Sequence, residues 1–281
     1  MRRHSAGRVI FGLFLLIVFI AAMWVFGFHG STALTVRPTA SETVPPTAAV
    51  SEPPVPSESV PPEPTAAPEP TPTPEPTPDP DSPAGRALAL GLPEPPDIDI
   101  DSWEYLLANI DNNIAEYVPP EIVELEWQYF DSRVIEPMVA FVEDARAQGL
   151  NVYLSSGYRS YSDQAANYQR VINNGYVDGK TSDGFYVSLP PGTSEHQTGL
   201  VCDITDVYYP LKDRSIENTA TYQYMSKHCQ DFGFIVRFPD GKQDITGVMY
   251  EPWHFRYVGV EAAAYIMENG LCFEEFVALY R

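Results

Sequence analysis

The feature that most constrains the fold of this chain is a proline-rich segment. Twenty of the 28 prolines lie between Arg37 and Asp97, many of them in Pro-Thr or Glu-Pro steps. The segment has no aromatic residue, and no Lys or Arg occurs between Pro38 and Gly85. Such a composition cannot bury enough apolar surface to offset the entropy of ordering, and proline favours extended polyproline II. Residues 29–97 are therefore predicted to form a disordered linker.

An apolar run precedes this linker. Residues 9–28 (VIFGLFLLIVFIAAMWVFGF) carry no charge, and about 20 apolar residues are enough to span a bilayer as a helix. Arg2, Arg3 and Arg8 precede the run, so the positive-inside rule predicts residues 1–8 in the cytoplasm and the rest of the chain outside. A cleaved signal peptide is the alternative, but the run is long and 31–33 is a weak cleavage site. An uncleaved transmembrane signal anchor is expected.

Residues 98–281 remain for a folded region, which suits one domain with its own core. The formal net charge of −21 argues against a nucleic-acid partner. Cys202, Cys229 and Cys272 lie in this region, and their spacing is not that of a zinc ribbon. One disulfide with a free thiol and three buried thiols are both compatible with the sequence.

Helical and strand patterns alternate in this region without regular βαβ spacing. This predicts an α+β fold with a small, mostly antiparallel sheet and flanking helices. Ser132 is expected to cap the amphipathic part of the first predicted helix, and Gly149 is expected to end it. Ser160 and Asp163 are expected to form a capping box at the start of another helix. The predicted helices are 121–148, one beginning at Ser160, 219–232, 261–269 and 273–280, and the predicted strands are 151–155, 200–205, 234–238 and 253–258.

The stretch SEHQTGLVCD contains a histidine and an aspartate seven positions apart, His196 and Asp203. Asp203 lies in a predicted strand between apolar neighbours, where a carboxylate is rare unless it is paired or binds a metal. A loop histidine near a strand end is, however, more often simply solvated. Taken alone, the pair leaves both interpretations open.

The stretch YEPWHFRYVG places Glu251 and His254 three positions apart. In a regular strand these side chains would point to opposite faces. Pro252 cannot donate a ladder hydrogen bond, so it favours a turn or strand entry that could bring both side chains to one ion. The alternative is a polar pair that caps an aromatic cluster.

Two imidazoles and one carboxylate, from His196, Asp203 and His254, suit a catalytic zinc ion that keeps one position open. Glu251 would then be the general base, which is the chemistry of a metallopeptidase. A donor for the developing oxyanion is also needed, and Arg159 in SSGYRSY is the candidate. Without the other motifs, Arg159 would be read as a surface arginine.

Four stretches together resemble the VanY-type D-alanyl-D-alanine carboxypeptidases: SSGYRSYSDQ, PPGTSEHQTGLVCDI, FGFIVRFPDGKQDITG and YEPWHFRYVG. The similarity runs from about Trp103 to Phe276, with the motifs in the same order. It implies the fold of the zinc D-Ala-D-Ala peptidases, and it implies the site residues in these roles: zinc ligands His196, Asp203 and His254; catalytic Glu251 and Arg159; substrate-binding Gln164 and Ser194.

One departure from the family pattern is visible. Val201 stands where the motif usually has alanine, on the strand face of Asp203. By strand alternation its neighbour Cys202 should point away from the metal into the core. A thiolate on the Asp203 face would compete for zinc.

The resemblance implies a zinc carboxypeptidase on the outer face of a bacterial cell membrane, with one zinc ion per chain. It would remove the C-terminal D-alanine from peptidoglycan stem peptides. Three alternatives stay open: an L,D-carboxypeptidase acting on tetrapeptide stems, a non-catalytic wall-binding module of the same fold, and a structural zinc protein. The last would need a fourth protein ligand, and none is evident near these motifs.

Overall fold

The computed structural model describes residues 77–281. The predicted anchor at 9–28 and the part of the predicted linker before residue 77 lie outside the described residues. Within 77–281, no helix combines the length and the apolar character needed to cross a membrane. The helices are α1 (Pro83–Ala89), α2 (Ile135–Ala147), α3 (Tyr161–Asn173), α4 (Ala220–His228), α5 (Gln243–Thr246), α6 (Val260–Glu268) and α7 (Phe273–Ala278). The strands are β1 (Ile122–Leu125), β2 (Gln128–Asp131), β3 (Tyr153–Ser156), β4 (Val201–Thr205), β5 (Phe234–Val236) and β6 (His254–Tyr257).

Helix α1 and the segment after it pack against the folded domain. The Ser82 side chain caps the helix, and Ala87 is fully buried in the same cluster as α6 and α7. The hydroxyl groups of Tyr265 and Tyr280 donate to the carbonyl oxygens of Pro93 and Pro96, at 2.8 and 2.7 Å. Residues 83–97, which the predicted boundary assigns to the linker, therefore contribute to the domain.

The region predicted as one helix, 121–148, divides into a hairpin and a helix. Strands β1 and β2 pair antiparallel, and α2 begins only at Ile135. The hairpin turns at Glu126 and Trp127, whose φ angles are +51° and +70°. The prediction of helix over the first part was wrong because this turn lacks the Asn-Gly or Asp-Gly signal that usually marks a two-residue hairpin. Ser132 is not the helix cap either, since it lies in a 3₁₀ turn whose first amide groups are capped by the Asp131 side chain.

The central sheet has four strands in the order β3–β4–β6–β5, and every neighbouring pair is antiparallel. This confirms the predicted α+β class with a small antiparallel sheet. The predicted capping box of Ser160 and Asp163 is present at the start of α3. Strand β4 is paired on both edges, by β3 and β6, and all five of its residues are buried.

Strand alternation gives the sheet two different faces. Cys202, Ile204 and Phe255 pack into the core with α2 and α4. Asp203 and His254 belong to the opposite face by the period-two rule, in register with one another. Cys202 therefore points into the core, as predicted. All three cysteines are buried free thiols, which decides between the two possibilities left open by the sequence.

Candidate metal centre and cleft

The centre of the site is a cross-strand pair on β4 and β6. Asp203 and His254 are directly opposite, and Asp203 Oδ1 lies 3.1 Å from His254 Nδ1. Both residues are buried, with 5% and 3% of their surface exposed. A buried carboxylate needs a compensating partner, and the pairing register supplies an imidazole at that position.

His196 reaches the same oxygen from the segment before β4. A 3₁₀ turn over Glu195–Thr198 ends at Gly199, whose φ of +72° redirects the chain into the strand. His196 Nε2 lies 3.5 Å from Asp203 Oδ1, and the Nδ1–H group donates to the carbonyl oxygen of Gly157 at 2.6 Å. That hydrogen bond fixes the tautomer, so the Nε2 lone pair faces the carboxylate.

These three residues fit a metal ion. One ligand atom from each of His196, Asp203 and His254 lies within 4.8 Å of the other two. The two imidazole rings are nearly perpendicular, at 87°, with centroids 5.0 Å apart. Asp203 Oδ1 is buried without a hydrogen-bond partner among residues 77–281. Tetrahedral zinc with bonds of about 2.0–2.2 Å places neighbouring ligand atoms about 3.3–3.5 Å apart, close to the spacings found around Oδ1.

The electrostatics of the site also suit a cation. Burial and the nearby Arg159 lower the pKa of His196 to about 4, so this imidazole is neutral at pH 7 and can act as a ligand. Burial alone would lower the pKa of His254, but Asp203, Glu195 and Glu251 outweigh it and raise that pKa to about 9. Carboxylates that favour an imidazolium here would equally favour a metal ion.

Each of the three candidate ligands also has a contact on the side that faces away from the metal position. Besides the Gly157 carbonyl behind His196, the ammonium group of Lys212 lies 2.7 Å from Asp203 Oδ2. Burial alone would raise the pKa of Asp203, but Lys212 and His196 lower it well below its usual range. Lys212 was missed by the sequence analysis, because a lysine in the loop after β4 carries no local signal.

His254 faces a carboxylate on its far side as well. Its Nε2 atom lies 3.8 Å from Glu195 Oε2. Glu195 is fully buried between Arg237 and Arg256, which lie 2.8 and 2.9 Å from its other oxygen. Burial would raise the pKa of Glu195, but the two guanidinium groups outweigh it and keep the carboxyl ionised. The sequence analysis also missed these three residues.

Glu251 lies in a turn before β6. The amide of His254 donates to the carbonyl oxygen of Glu251 at 3.2 Å, which bends the chain so that both side chains face the cleft. Glu251 Oε2 lies 3.5 Å from His254 Nδ1. Burial raises the pKa of Glu251 to about 7, although His254 opposes the shift. A carboxyl group with a pKa near neutrality is suited to accept and release a proton.

Two hydrogen bonds hold the Arg159 side chain in place. Its Nη1 donates to Ser156 Oγ at 2.7 Å and its Nε donates to Gln164 Oε1 at 2.9 Å. Its Nη2 makes no hydrogen bond within the described part of the chain. Desolvation lowers the pKa of Arg159 while Asp203 and Glu251 oppose that shift, and a guanidinium remains charged at neutral pH. Arg159 therefore presents a fixed cation to the cleft.

The two predicted substrate-binding residues lie in different positions. Ser194 lines the cleft, as does Arg159. Gln164 is 1% exposed, and its amide nitrogen donates to the carbonyl oxygen of Leu189 at 2.6 Å. Because both ends of the Gln164 side chain are engaged, it supports Arg159 from behind and does not line the cleft.

The candidate ligands, Glu251 and Arg159 open into one cleft of about 500 Å³. Helix α3 and the loop after β4 form two of its walls, and exposed apolar side chains at Tyr208 and Leu211 lie along the loop. The cleft is lined by both imidazoles, Asp203, Glu251 and Arg159, so every group that peptide hydrolysis at a metal requires faces the same space.

The sequence is similar to known carboxypeptidases. The family model for VanY, D-alanyl-D-alanine carboxypeptidase, matches residues 128–260. A D-alanyl-D-alanine carboxypeptidase of Enterococcus faecalis (strain ATCC 700802 / V583) is 34% identical over 187 residues, covering 64% of this chain and 67% of the relative.

Two solved structures have a similar fold. A variant of the vancomycin-resistance D,D-pentapeptidase VanY in complex with Zn(II) is 33% identical, with a TM-score of 0.53, covering 63% of this chain and 99% of that structure. The LdcB LD-carboxypeptidase is 29% identical, with a TM-score of 0.56, covering 64% of this chain and 89% of that structure. The likeness therefore extends to carboxypeptidases of both stereochemical types.

Proposed function

Because this chain belongs to the VanY family of D-alanyl-D-alanine carboxypeptidases, we propose that it removes the C-terminal D-alanine from peptidoglycan stem pentapeptides. The chain is a zinc peptidase, and peptide hydrolysis is its reaction class. The observation that carries the proposal is the convergence of three metal-ligating side chains, one carboxyl group of raised pKa and one fixed guanidinium in a single cleft.

His196, Asp203 and His254 would hold the zinc ion. When bound there, zinc supplies a Lewis acid that polarises the scissile carbonyl and makes a water molecule acidic enough to react near pH 7. The backbone of Gly157 and the ammonium group of Lys212 hold two of these ligands in orientation. Such outer contacts fix which ligand atom faces the metal.

Glu251 handles the protons. Its carboxylate takes one proton from the attacking water as the water oxygen forms a bond to the carbonyl carbon. The C–N bond then breaks, and the Glu251 carboxylic acid passes that proton to the leaving amine of D-alanine. One water molecule is consumed and Glu251 returns to its ionised form. Burial raises the pKa of Glu251, which favours uptake of the proton in the first half of this cycle.

Arg159 stabilises the charge that develops on the carbonyl oxygen. Ser156 and Gln164 restrain two of its three nitrogens, which leaves Nη2 for the substrate. A donor held in place before the reaction stabilises the oxyanion without a reorganisation cost. The same restraint orders the guanidinium plane, which a more flexible cation could not reproduce.

The second candidate is L,D-carboxypeptidase activity on tetrapeptide stems, and the likeness to the LdcB LD-carboxypeptidase favours it. The two activities share the metal chemistry and differ in which stereocentre precedes the scissile bond. Pentapeptide and tetrapeptide stems should be incubated separately with the full-length chain and analysed by mass spectrometry. We expect loss of one alanine from the pentapeptide and little change in the tetrapeptide. Faster cleavage of the tetrapeptide would favour the L,D activity, and cleavage of neither would favour a wall-binding module.

The location of the enzyme follows from the N-terminal sequence. We propose that residues 9–28 anchor the chain in a bacterial cell membrane, with the catalytic domain outside, because an uncharged apolar run follows three arginines. Protease treatment of intact wall-free cells should remove the domain while leaving a membrane-bound N-terminal fragment. Release of the intact chain into the medium would contradict this anchor.

The proline-rich segment would set the reach of the domain. Because residues 83–97 pack on the domain, the proline-rich part that remains available is residues 38–82, which is 45 residues. Such a segment spans about 140 Å as extended polyproline II and about 34–40 Å as a flexible coil. Deleting about 30 of these residues should leave turnover of small peptides unchanged and reduce trimming of mature wall in cells. Unchanged wall composition at equal protein levels would contradict this role.

A further inference from the structure

Glu195 occupies a position that the proposed reaction does not use. It precedes His196 in the chain, yet its side chain points away from the cleft centre toward the far side of His254. It is 1% exposed, and its two oxygens have different surroundings. Oε1 takes both arginine contacts, whereas Oε2 has no hydrogen-bond partner within residues 77–281.

The unpartnered oxygen faces an unpartnered nitrogen. His254 Nε2 is also buried without a hydrogen-bond partner in the described part of the chain, and it lies 3.8 Å from Glu195 Oε2. The other ring nitrogen, Nδ1, faces Asp203 Oδ1 at 3.1 Å, on the metal side. If Nδ1 gives its lone pair to the metal, the proton of a neutral ring must be on Nε2. That N–H group then points at the Glu195 carboxylate.

The carboxylate is itself fixed by a buried framework. Arg237 donates two further hydrogen bonds to the Glu274 carboxylate, at 2.8 and 2.6 Å, so its guanidinium lies between two carboxylates. Arg256 donates to the carbonyl oxygens of Glu104 and Leu106, at 2.8 and 3.0 Å. Both arginines are fully buried, so neither can swing into solvent. The framework therefore connects the metal site to α7 and to the segment before β1.

We propose that Glu195 is a positioning residue for His254, accepting a hydrogen bond from Nε2–H so that Nδ1 is presented to the metal. This inference rests on the proposed role of His254 as a zinc ligand. Histidine ligands usually donate their second N–H to a carboxylate or carbonyl group, and losing that acceptor typically weakens metal binding about 10–100-fold. The present separation of 3.8 Å is longer than a hydrogen bond, so the proposal requires Nε2 and Oε2 to approach one another.

The test compares two substitutions at the same buried arginine. Glu195→Gln and Glu274→Gln each remove one carboxylate from Arg237, but only Glu195 faces His254. A glutamine at 195 must direct its amide N–H₂ group either at an arginine or at the His254 N–H, so one contact is lost. Zinc affinity of the full-length chain is measured by competition with a chromophoric chelator, and folding by its thermal transition.

We expect Glu195→Gln to bind zinc about 10–100-fold more weakly, while Glu274→Gln stays within about threefold of the unsubstituted chain. Because Glu195 also contacts Arg256, a structural role is judged by the thermal transition. Weaker zinc binding that only follows a lowered thermal transition in both variants would overturn the proposal. So would an unchanged affinity in Glu195→Gln. If His254→Ala keeps full zinc, the ligand assignment itself is wrong, which is a different failure from that of Glu195 alone.

Nitrogen NMR of the unsubstituted, zinc-loaded chain provides a readout that does not depend on a variant folding. The His254 ring signals are assigned by through-bond correlation from the backbone of this residue. Metal coordination at Nδ1 and an exchange-protected, downfield proton on Nε2 are expected. Coordination through Nε2, or a rapidly exchanging Nε2 proton, would overturn the proposal.

Discussion

The two segments that supply the histidines hold them in different ways. Residues 194–203 present His196 through a backbone contact, since its Nδ1–H donates to the Gly157 carbonyl. Residues 250–257 present His254 opposite a side chain, the Glu195 carboxylate, which two buried arginines fix. A backbone acceptor cannot be removed by substituting a side chain, whereas a carboxylate acceptor can. The His254 side of the centre should therefore be the more sensitive to substitutions outside the ligands.

The largest expected loss of activity comes from a substitution in residues 250–257, because this segment also contains the proposed base, Glu251. Glu251→Gln keeps the shape of the side chain but cannot shuttle a proton. We expect turnover of a pentapeptide stem to fall about 10²–10⁴-fold, which is the usual contribution of general acid–base catalysis. Steady-state kinetics with purified protein will measure this. A fall below about tenfold, with zinc content and thermal transition unchanged, would indicate another base.

Substitution of Arg159 tests the role of its guanidinium group in the cleft. Arg159→Lys keeps the charge but loses the planar arrangement that Ser156 and Gln164 hold. Removing one oxyanion donor typically costs about 10²–10³-fold in kcat, and we expect a loss toward the lower end with little change in KM. Gln164→Ala, which removes only the support, should cost about tenfold or less. Equal losses in the two variants would contradict this division of roles.

Substitution of Lys212 tests how Asp203, the third proposed ligand, is held. Lys212→Met removes the ammonium group that lies 2.7 Å from Asp203 Oδ2 and keeps much of the aliphatic length. Zinc affinity should fall about tenfold, as is common when an outer contact of a ligand is lost. Arg170→Met is the matched control, because Arg170 is another cation lining the cleft, and its hydrogen bond goes to Asn167. If both variants weaken zinc binding equally, the effect does not come from the Asp203 contact.

The smallest expected effect is on stability, and it concerns the buried ion pairs behind His254. Burial would raise the pKa of Glu274, but Arg237 outweighs it and lowers that pKa. Its contribution to stability is therefore present above the unfolded value of about 4.3 and is lost as the pH falls through the lower folded value. Thermal transitions of Glu274→Gln and the unsubstituted chain should differ most at neutral pH, by an amount equivalent to about 1–3 kcal/mol. A difference that is equally large near pH 3 would contradict the sign of this shift.

Much of the site could be predicted from sequence because its residues belong to short motifs with local physical meaning. Asp203 was conspicuous as a carboxylate inside an apolar strand, and Pro252 indicated the turn that brings Glu251 and His254 together. The faces of β4 followed from alternation alone, which correctly placed Cys202 in the core. These inferences needed no knowledge of distant contacts.

The residues that were missed act through contacts distant in sequence. Glu195 is brought to His254 and Arg237 by the pairing of β4, β5 and β6, and Lys212 reaches Asp203 from an irregular loop. Gln164 was expected in the cleft, but its position depends on Leu189, 25 residues away. The hairpin at β1 and β2 was hidden by a turn without glycine. For Glu195, Lys212 and Gln164 a tertiary contact decides the position, whereas the hairpin was missed because its turn lacks a local signal.

The central claim is that His196, Asp203 and His254 hold one zinc ion, and metal analysis of the full-length chain tests it most directly. The zinc content per chain should be measured by elemental mass spectrometry. The unsubstituted protein, Glu251→Gln and His254→Ala are compared after identical dialysis. We predict one zinc per chain in the first two and almost none in the third, with all three folded. Stoichiometric zinc in folded His254→Ala would contradict the ligand set and the mechanism built on it.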